Sequence, residues 1–491
     1  MTKNSKTNLS RRTFLSSLGA GLGVFAANGG VPSWSNQNVL EHLSFKQTLS
    51  LLDVSLTPQQ RALVVLPWSH PSRQITNTVA IHKSAHIGTM FDPEQMVLIR
   101  RLYDTVLSSQ GRQWFHNTTR LEGKLEGSNF KIYTDASRGA LATSDNTVVM
   151  FNGGHYMLRH GEPRVLNQDY VFGGPISYGQ QIGNNRFKVE GNAFKVHGDA
   201  INDFSASLNS IERSQAYQAV APMELIIQPQ GHDGTFPGLR IGDTSPGSQE
   251  LARQMLEVIF AAYPESQQRQ AFDAIDQNGG IESLHLALYQ DYSFYQNGER
   301  LADRADRQSN TGEQAYTQVW RIEGPACVIH FKGYPHVHAY INVVRDPRRI
   351  AIGDIISDTS TGVSGEGVRG LLLSALRFET GERFAYFPMP PAGRLPIGLV
   401  SSGSLYALDP YENYAVVIDV NESAMPQKLK ASLLAQGALL TPGKIVRLAV
   451  PSYTLEDSSP IGMIERVVFR GGVLRDSLIK LVSSQPDIIN V

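Results

Sequence analysis

One cysteine, Cys327, stands in a chain of 491 residues, so no disulfide closes within it. It lies in the apolar run Ala326-Cys327-Val328-Ile329, where a thiol is expected to serve as a small buried hydrophobe. Acidic residues are missing from the first 40 positions, and Glu41 is the first. Beyond the N-terminus no apolar run reaches the roughly 20 residues a spanning helix needs, which argues against stable membrane insertion. The formal net charge is only -1, so no basic face for nucleic acid or acidic lipid is expected. The familiar catalytic signatures are missing too: there is no Gly-x-Ser-x-Gly elbow, no phosphate-cradling glycine loop ending in Lys-Ser/Thr, and no His-Glu-x-x-His. Finally, none of the 13 histidines follows His338, which assigns any imidazole chemistry to the first two thirds of the chain.

What is present begins at the N-terminus. Lys3, Lys6, Arg11 and Arg12 precede a short apolar stretch from Phe14 to Ala27 that is too brief and too rich in Gly and Ser to span a bilayer. The tract Ser10-Arg11-Arg12-Thr13-Phe14-Leu15 looks like a twin-arginine signal. Residues 1–30 are therefore expected to direct export of the folded chain through the twin-arginine machinery, to a periplasmic or secreted location. Export in the folded state favours proteins that take up a cofactor first.

Hydrophobic content of 41% suits a soluble globular protein, and the length suits two or three domains. Thr57-Pro58 and Asp92-Pro93 each place a capping residue before a proline, which predicts helix starts, and a further helix is expected from Ser248 to about Tyr263, with Pro264 as its stop. Strands are expected at Thr147–Phe151, Cys327–Phe331 and Val337–Val344. Glycine and asparagine at Asn184-Asn185 and Gln277-Asn278-Gly279-Gly280 mark loops. The main boundary is placed after Arg345-Asp346-Pro347-Arg348-Arg349, giving domains at 45–347 and 350–491. The fold class expected is α+β, with two mixed α/β domains.

His336-Val337-His338 carries the clearest chemistry. In a strand, residues i and i+2 share a face, so both imidazoles are positioned to grip one ion. His155, after Gly153-Gly154 at a strand end, is the expected third ligand of a divalent metal (Zn, Cu or Fe) with open positions for a substrate. His330 and His285 are weaker candidates. His82 and His86, among β-branched residues, are expected at the surface or behind the site. Gly231-His232-Asp233-Gly234 reads as a turn.

From about Leu51 to Pro347 the chain resembles the bacterial domain-of-unknown-function family 3500. The matching pieces are Leu56-Thr57-Pro58-Gln59-Gln60-Arg61, Gly153-Gly154-His155-Tyr156-Met157, Tyr170-Val171-Phe172-Gly173-Gly174-Pro175, Leu284-His285-Leu286-Ala287, Trp320-Arg321-Ile322-Glu323-Gly324-Pro325, His336-Val337-His338 and Arg345-Asp346-Pro347. The family typically has two adjacent histidines after the glycine, where this chain has His155 and Tyr156. From about Ile350 to Val491 the chain is similar to the C-terminal domain of periplasmic 5′-nucleotidases. Ile352–Asp358 matches that domain's opening, Phe384-Ala385-Tyr386-Phe387 its first core strand, Asp409-Pro410-Tyr411-Glu412-Asn413 its aromatic substrate loop, and Arg475-Asp476-Ser477-Leu478 its closing helix. The resemblance implies a base-stacking role for Tyr411, with Asn413 beside it. The family's Asn-x-Gly-Gly-x-Arg stretch is replaced here by Pro388-Met389-Pro390-Pro391-Ala392-Gly393, and its dimetal phosphoesterase motifs are absent.

Together these readings predict an exported metal-dependent enzyme, a hydrolase of a small molecule, with metal ligands His155, His336 and His338. Glu323 and Arg345 are expected to orient the substrate or move a proton. Two alternatives remain open at this point: a non-catalytic periplasmic binding protein for a nucleoside-like ligand held by Tyr411 and Asn413, and a copper or iron redox protein.

Overall fold

The computed structural model describes residues 43–490 apart from 78–85, 123–124, 139, 142–143, 145, 162–169, 181–192, 223, 292–294, 297–298, 301–318, 334–336, 348–354, 390–392, 396–397 and 457. The expected signal segment 1–30, His82, the Asn184-Asn185 loop, His336 and Ile352-Gly353-Asp354 lie outside the described residues.

The helix starts are set by local chemistry. Thr57 and Asp92 accept hydrogen bonds from the backbone N–H groups of Gln60 and Gln95, and each glutamine side chain returns the bond, so helices run over Pro58–Val64 and Pro93–Thr105. Ser245 caps a helix at Pro246–Phe260, earlier at both ends than the pattern suggested. Pro264, expected to be its stop, instead occupies the N-cap of the next helix, Glu265–Gln277. Proline fits there because the first helical N–H groups lack partners in any case.

The strands are, in chain order, β1 (Val65–Pro67), β2 (Asn129–Thr134), β3 (Thr147–Gly153), β4 (Tyr156–His160), β5 (Ile176–Gln180), β6 (Tyr217–Val220), β7 (Leu239–Arg240), β8 (His285–Asp291), a short hairpin of β9 (Tyr295–Gln296) and β10 (Glu299–Arg300), β11 (Val319–Glu323), β12 (Cys327–Lys332) and β13 (Val337–Val343). An 11-stranded mixed sheet has the order β1-β2-β3-β4-β5-β13-β12-β11-β8-β6, with β7 also on β8. The β1/β2 and β6/β8 pairs are parallel, and the other pairs of this sheet are antiparallel.

The two faces of this sheet differ in chemistry. Alternation turns Val337, Ala339 and Ile341 of β13, with Ile329 and Phe331 of β12, into a large apolar core. Helices cover that face through Leu52, Leu102, Phe115, Phe204 and Ile259. The opposite face carries Arg159, Arg321, Lys332, His338 and Asn342, all at most 6% exposed. Polar groups this deeply buried need partners, so an apolar helix cannot cover them. The irregular segment 224–230 lies over this face instead, with Arg394 and Tyr411 from the C-terminal third of the chain beside it.

That C-terminal third contains a two-stranded sheet of β14 (Ile355–Thr359) and β15 (Gly398–Ser401) and a three-stranded sheet of β16 (Tyr414–Asn421), β17 (Ile445–Pro451) and β18 (Ile464–Val473), ordered β17-β16-β18. Helices Glu366–Thr380 and Leu474–Ser484 pack on one another through Leu372, Leu376, Leu474 and Leu478. Phe384-Ala385-Tyr386-Phe387, expected to be a core strand, makes a single parallel bridge, Ala385 to Ala449. Tyr406, Ala407 and Ile479 then meet Ile75, Met150 and Met157 of the N-terminal part in a shared apolar cluster. Among the described residues no helix is long and apolar enough to cross a membrane.

Candidate functional site

His338 sits in β13 opposite Lys332 of β12 on one side and Gly179 of β5 on the other. The glycine is what admits the ring: a Cβ at position 179 would strike the Val337 carbonyl oxygen and lie 3.2 Å from Cδ2 of His338. His155 occupies the turn between β3 and β4, after Gly154, which takes a left-handed φ of 52°. The two imidazole centroids are 5.2 Å apart with planes inclined at 38°. Two of the three imidazoles read from the sequence as ligands therefore lie side by side; the third, His336, is outside the described residues.

The residue that organises the pair escaped the sequence reading. Nδ1 of His338 lies 3.0 Å from Oε2 of Glu224, and Nζ of Lys332 lies 3.1 Å from the same oxygen. With Glu224 as carboxylate, Nδ1 donates, which fixes the tautomer and leaves Nε2 with its lone pair. Burial works to raise the Glu224 carboxyl, but the His338 contact and the positive charge of Lys332 outweigh it and hold it well below the usual carboxylate range. Burial lowers His338 despite the opposing pull of Glu224, and it lowers Lys332 likewise. His330, one strand over and 1% exposed, is pushed down to about 3 by burial, with Arg321 adding to the effect. It is a neutral imidazole whose Nδ1 has no hydrogen-bond partner among the described residues.

Segment 224–230 is tied down along its length. Arg321 donates to the Ile226 carbonyl, Asn342 Nδ2 donates to the Ile227 carbonyl at 3.0 Å, and Gln230 Nε2 donates to Oε1 of Glu323 at 2.8 Å. Leu225 and Ile227 pack on Val328 and Tyr340, with Tyr411 against them. Little in the sequence advertises this role. Glu224-Leu225-Ile226-Ile227 has no strand alternation, and its acid precedes a plain apolar run. Lys332 left a fainter signal, as the second polar side chain at an alternate position of Cys327-Val328-Ile329-His330-Phe331-Lys332.

The expected catalytic residues are placed elsewhere. Glu323 closes β11, in register with Val328 and hence Asn342. That is four residues along and two strands across from His338, roughly 16 Å by strand geometry. There it meets Arg321 and Arg394, both at 3.4 Å. Arg345 follows β13 at its far end, roughly 23 Å along from His338. Its Nη2 donates to Gln270 Oε1 at 2.9 Å, bracing helix Glu265–Gln277. The Tyr411 ring, expected to be displayed for stacking, is turned onto the N-terminal sheet, where it packs against Leu225, Ile227, Val328 and Tyr340. Asn413 is buried, and its Nδ2 donates to Asp409 Oδ1 at 3.0 Å. His86 is exposed at the N-cap position of the short helix Ile87–Met90, with no capping bond from its side chain, and Gly231-His232-Asp233-Gly234 forms the expected turn. Cys327 is fully buried, and its thiol is pushed far up by burial.

Among the described residues no group of three or more His, Cys, Asp or Glu side chains is arranged to hold a metal ion. The two imidazoles nevertheless fit as a pair of ligands. Rings bound through nitrogen to one tetrahedral ion at about 2.0–2.1 Å have centroids roughly 5 Å apart, and a ligating histidine usually gives its other nitrogen to a carboxylate, as His338 does to Glu224.

No protein-family model matches the chain, and no curated protein matches it significantly. Among solved structures it is similar to a 5′-nucleotidase precursor from Thermus thermophilus, with 13% identity and a TM-score of 0.21. The match covers 34% of this chain and 47% of that one, so the chain spans about half the length of the protein it matches.

Proposed function

We propose that this chain is an exported metal-dependent hydrolase of a small molecule, with His155 and His338 at its reacting centre. The observation that carries the proposal is the ring pair at 5.2 Å, one member of which is held through Nδ1 by the partly exposed Glu224 carboxylate. Histidine must be neutral to ligate, and burial favours the neutral form of His338 against the pull of Glu224. A divalent ion held by these nitrogens would supply Lewis acidity to a substrate oxygen or an attacking water.

The chain's own residues do the rest. Glu224 sets the His338 tautomer and aims Nε2 away from the segment that covers it. Lys332 balances the Glu224 charge, so the surroundings of the His338 ring are close to neutral. Gly179 leaves the His338 ring its space. Location in the periplasm or outside the cell follows from the Arg11-Arg12 signal, and the absence of a basic surplus agrees with a small-molecule substrate rather than nucleic acid.

The test is metal content. Full-length mature protein, stripped of metal and refilled with Zn, Cu or Fe(II), is expected to retain one equivalent of one of them after gel filtration and to hydrolyse members of an ester and phosphoester panel only when refilled. Retention of no metal, together with no change in thermal midpoint on adding any of the three, would sink the proposal.

A further inference from the structure

We infer that the turn presenting His155 is clamped on both faces of the sheet, with Asn152 and Tyr156 as the positioning residues that hold this imidazole beside His338. The inference rests on the reading of His155 and His338 as the reacting centre, and adds to it the groups that fix the more exposed of the two rings.

Gly154 and His155 form the two-residue connection between β3 and β4, with Gly153 and Tyr156 paired across its base. Two glycines therefore precede the imidazole, and glycine is the residue whose backbone costs most to order. A turn of this composition does not fix a side chain by its own preferences. Asn152, fully buried on β3, supplies a tie. Its Nδ2 donates to the Tyr156 carbonyl at 3.2 Å, spanning the turn from one flank to the other, and to the Asn77 carbonyl at 3.4 Å. Both acceptors are backbone atoms, so neither can rotate away from the amide.

The sheet register places this tie on the face that carries His338. Asn152 is opposite Met157, Met157 opposite Ser177, and Ser177 opposite Tyr340, two residues along β13 from His338. The segment ending at Asn77 is fixed to the same face: Thr76 Oγ1 donates to Ser177 Oγ at 3.0 Å, and Arg159 donates to the carbonyls of Ser72 and Ile75. The second tie is on the helix-covered face. The Tyr156 ring lies in the large apolar core, and its hydroxyl is 2.6 Å from Ser128 Oγ. Ser128 in turn lies against Gly153, where an added Cβ would come within 2.5 Å of its Oγ. Tyr156 is thus held by its carbonyl from one face and by its hydroxyl from the other, directly after His155.

The experiment uses full-length mature protein and the variants Asn152→Ala and Tyr156→Phe, with Asn278→Ala as a matched control. Asn278 is also buried, and its Nδ2 also donates to two backbone carbonyls, those of Ala274 at 2.7 Å and Arg345 at 3.0 Å, beyond the far end of β13. Two readouts are taken: Zn affinity by competition with a chromophoric chelator, and the ring resonances of His155 at one fixed pH in metal-free protein. Asn152→Ala is expected to lose about 10-fold in Zn affinity, the scale of a lost support behind a ligand, and to shift the His155 resonances. Tyr156→Phe, which removes the Ser128 bond and keeps the ring, should act in the same direction. Asn278→Ala should lower the thermal midpoint and leave both readouts at wild-type values. Merely structural residues at 152 and 156 would behave as that control does. If wild type retains no Zn but Asn152→Ala shifts the His155 resonances, the clamp stands and the metal reading alone falls. If Asn152→Ala folds with wild-type affinity and resonances, or Asn278→Ala changes them equally, the inference is overturned. Where Asn152→Ala does not fold, unchanged readouts in Tyr156→Phe overturn it.

Discussion

Glu224 grips His338 through a single oxygen, Oε2, 3.0 Å from Nδ1. The same oxygen receives the ammonium of Lys332, which is 1% exposed on its side chain. A carboxylate shared in this way has two duties, one to an imidazole and one to a buried cation, and substitutions separate them.

Replacing Glu224 by Gln keeps an acceptor for Nδ1 but removes the negative charge that faces the buried Lys332. Breaking a buried pair from one side typically costs about 3–5 kcal/mol. Urea unfolding of Glu224→Gln is expected to show a loss of that order. Adding Lys332→Met should recover much of it, because the buried ammonium that Glu224 faced is gone. If the double variant is as unstable as the single one, the Lys332 pairing is not what Glu224 stabilises.

Gly179→Ala tests how His338 is seated. The added methyl must push the Val337 carbonyl or the His338 ring. A shift of the ring by even a few tenths of an ångström disturbs ligation, so metal affinity should fall by at least about 10-fold, with a stability loss of roughly 1–3 kcal/mol from overpacking. Unchanged affinity in a folded Gly179→Ala protein would mean the ring has slack.

Sequence patterning had most of the frame. Caps at Thr57 and Asp92 and the β-rich apolar runs of β3, β12 and β13 were readable, because each is set by neighbours within a few residues. The pairing of His155 with His338 was readable in part, since the glycines before one and the alternation around the other both report local geometry. What stayed hidden depends on distant contacts. β5 pairs with β13 as well as with β4, and nothing local specifies that. Glu224 gains its role only because an irregular segment crosses a polar sheet face. Tyr411 looked like a displayed aromatic, but its loop faces the N-terminal sheet, and burying the ring there removes apolar surface from water.

Asp409 gives the clearest dependence on pH. It is 1% exposed, and burial pushes its carboxyl up to about 7, against the pull of Asn413 and Arg475. The folded state therefore holds a proton that the unfolded chain, with a carboxyl near 3.8, has already released. Stability contributed by this group is complete below about pH 4 and falls as pH rises towards 7, by an amount on the order of 2–4 kcal/mol. Asp409→Asn is expected to flatten that part of the stability profile and to be the more stable protein at pH 8. Parallel profiles for the two proteins between pH 4 and 8 would contradict this assignment.

Arg345 lies against Gln270 and far along β13 from the imidazoles. Arg345→Ala should leave metal stoichiometry and affinity at wild-type levels, with a stability change of about 1 kcal/mol from the lost hydrogen bond. A large fall in metal affinity would mean that this end of the sheet is coupled to the other.

The most direct measurement is metal binding by wild type, His155→Ala and His338→Ala, each folded and each titrated with Zn, Cu and Fe(II) under the same conditions. The account predicts one tight equivalent in wild type and a loss of at least about 100-fold in affinity for each alanine variant, as expected when a ligand itself is removed. Equal binding by all three proteins, or none by wild type, would show that two imidazoles 5.2 Å apart are packing neighbours and nothing more.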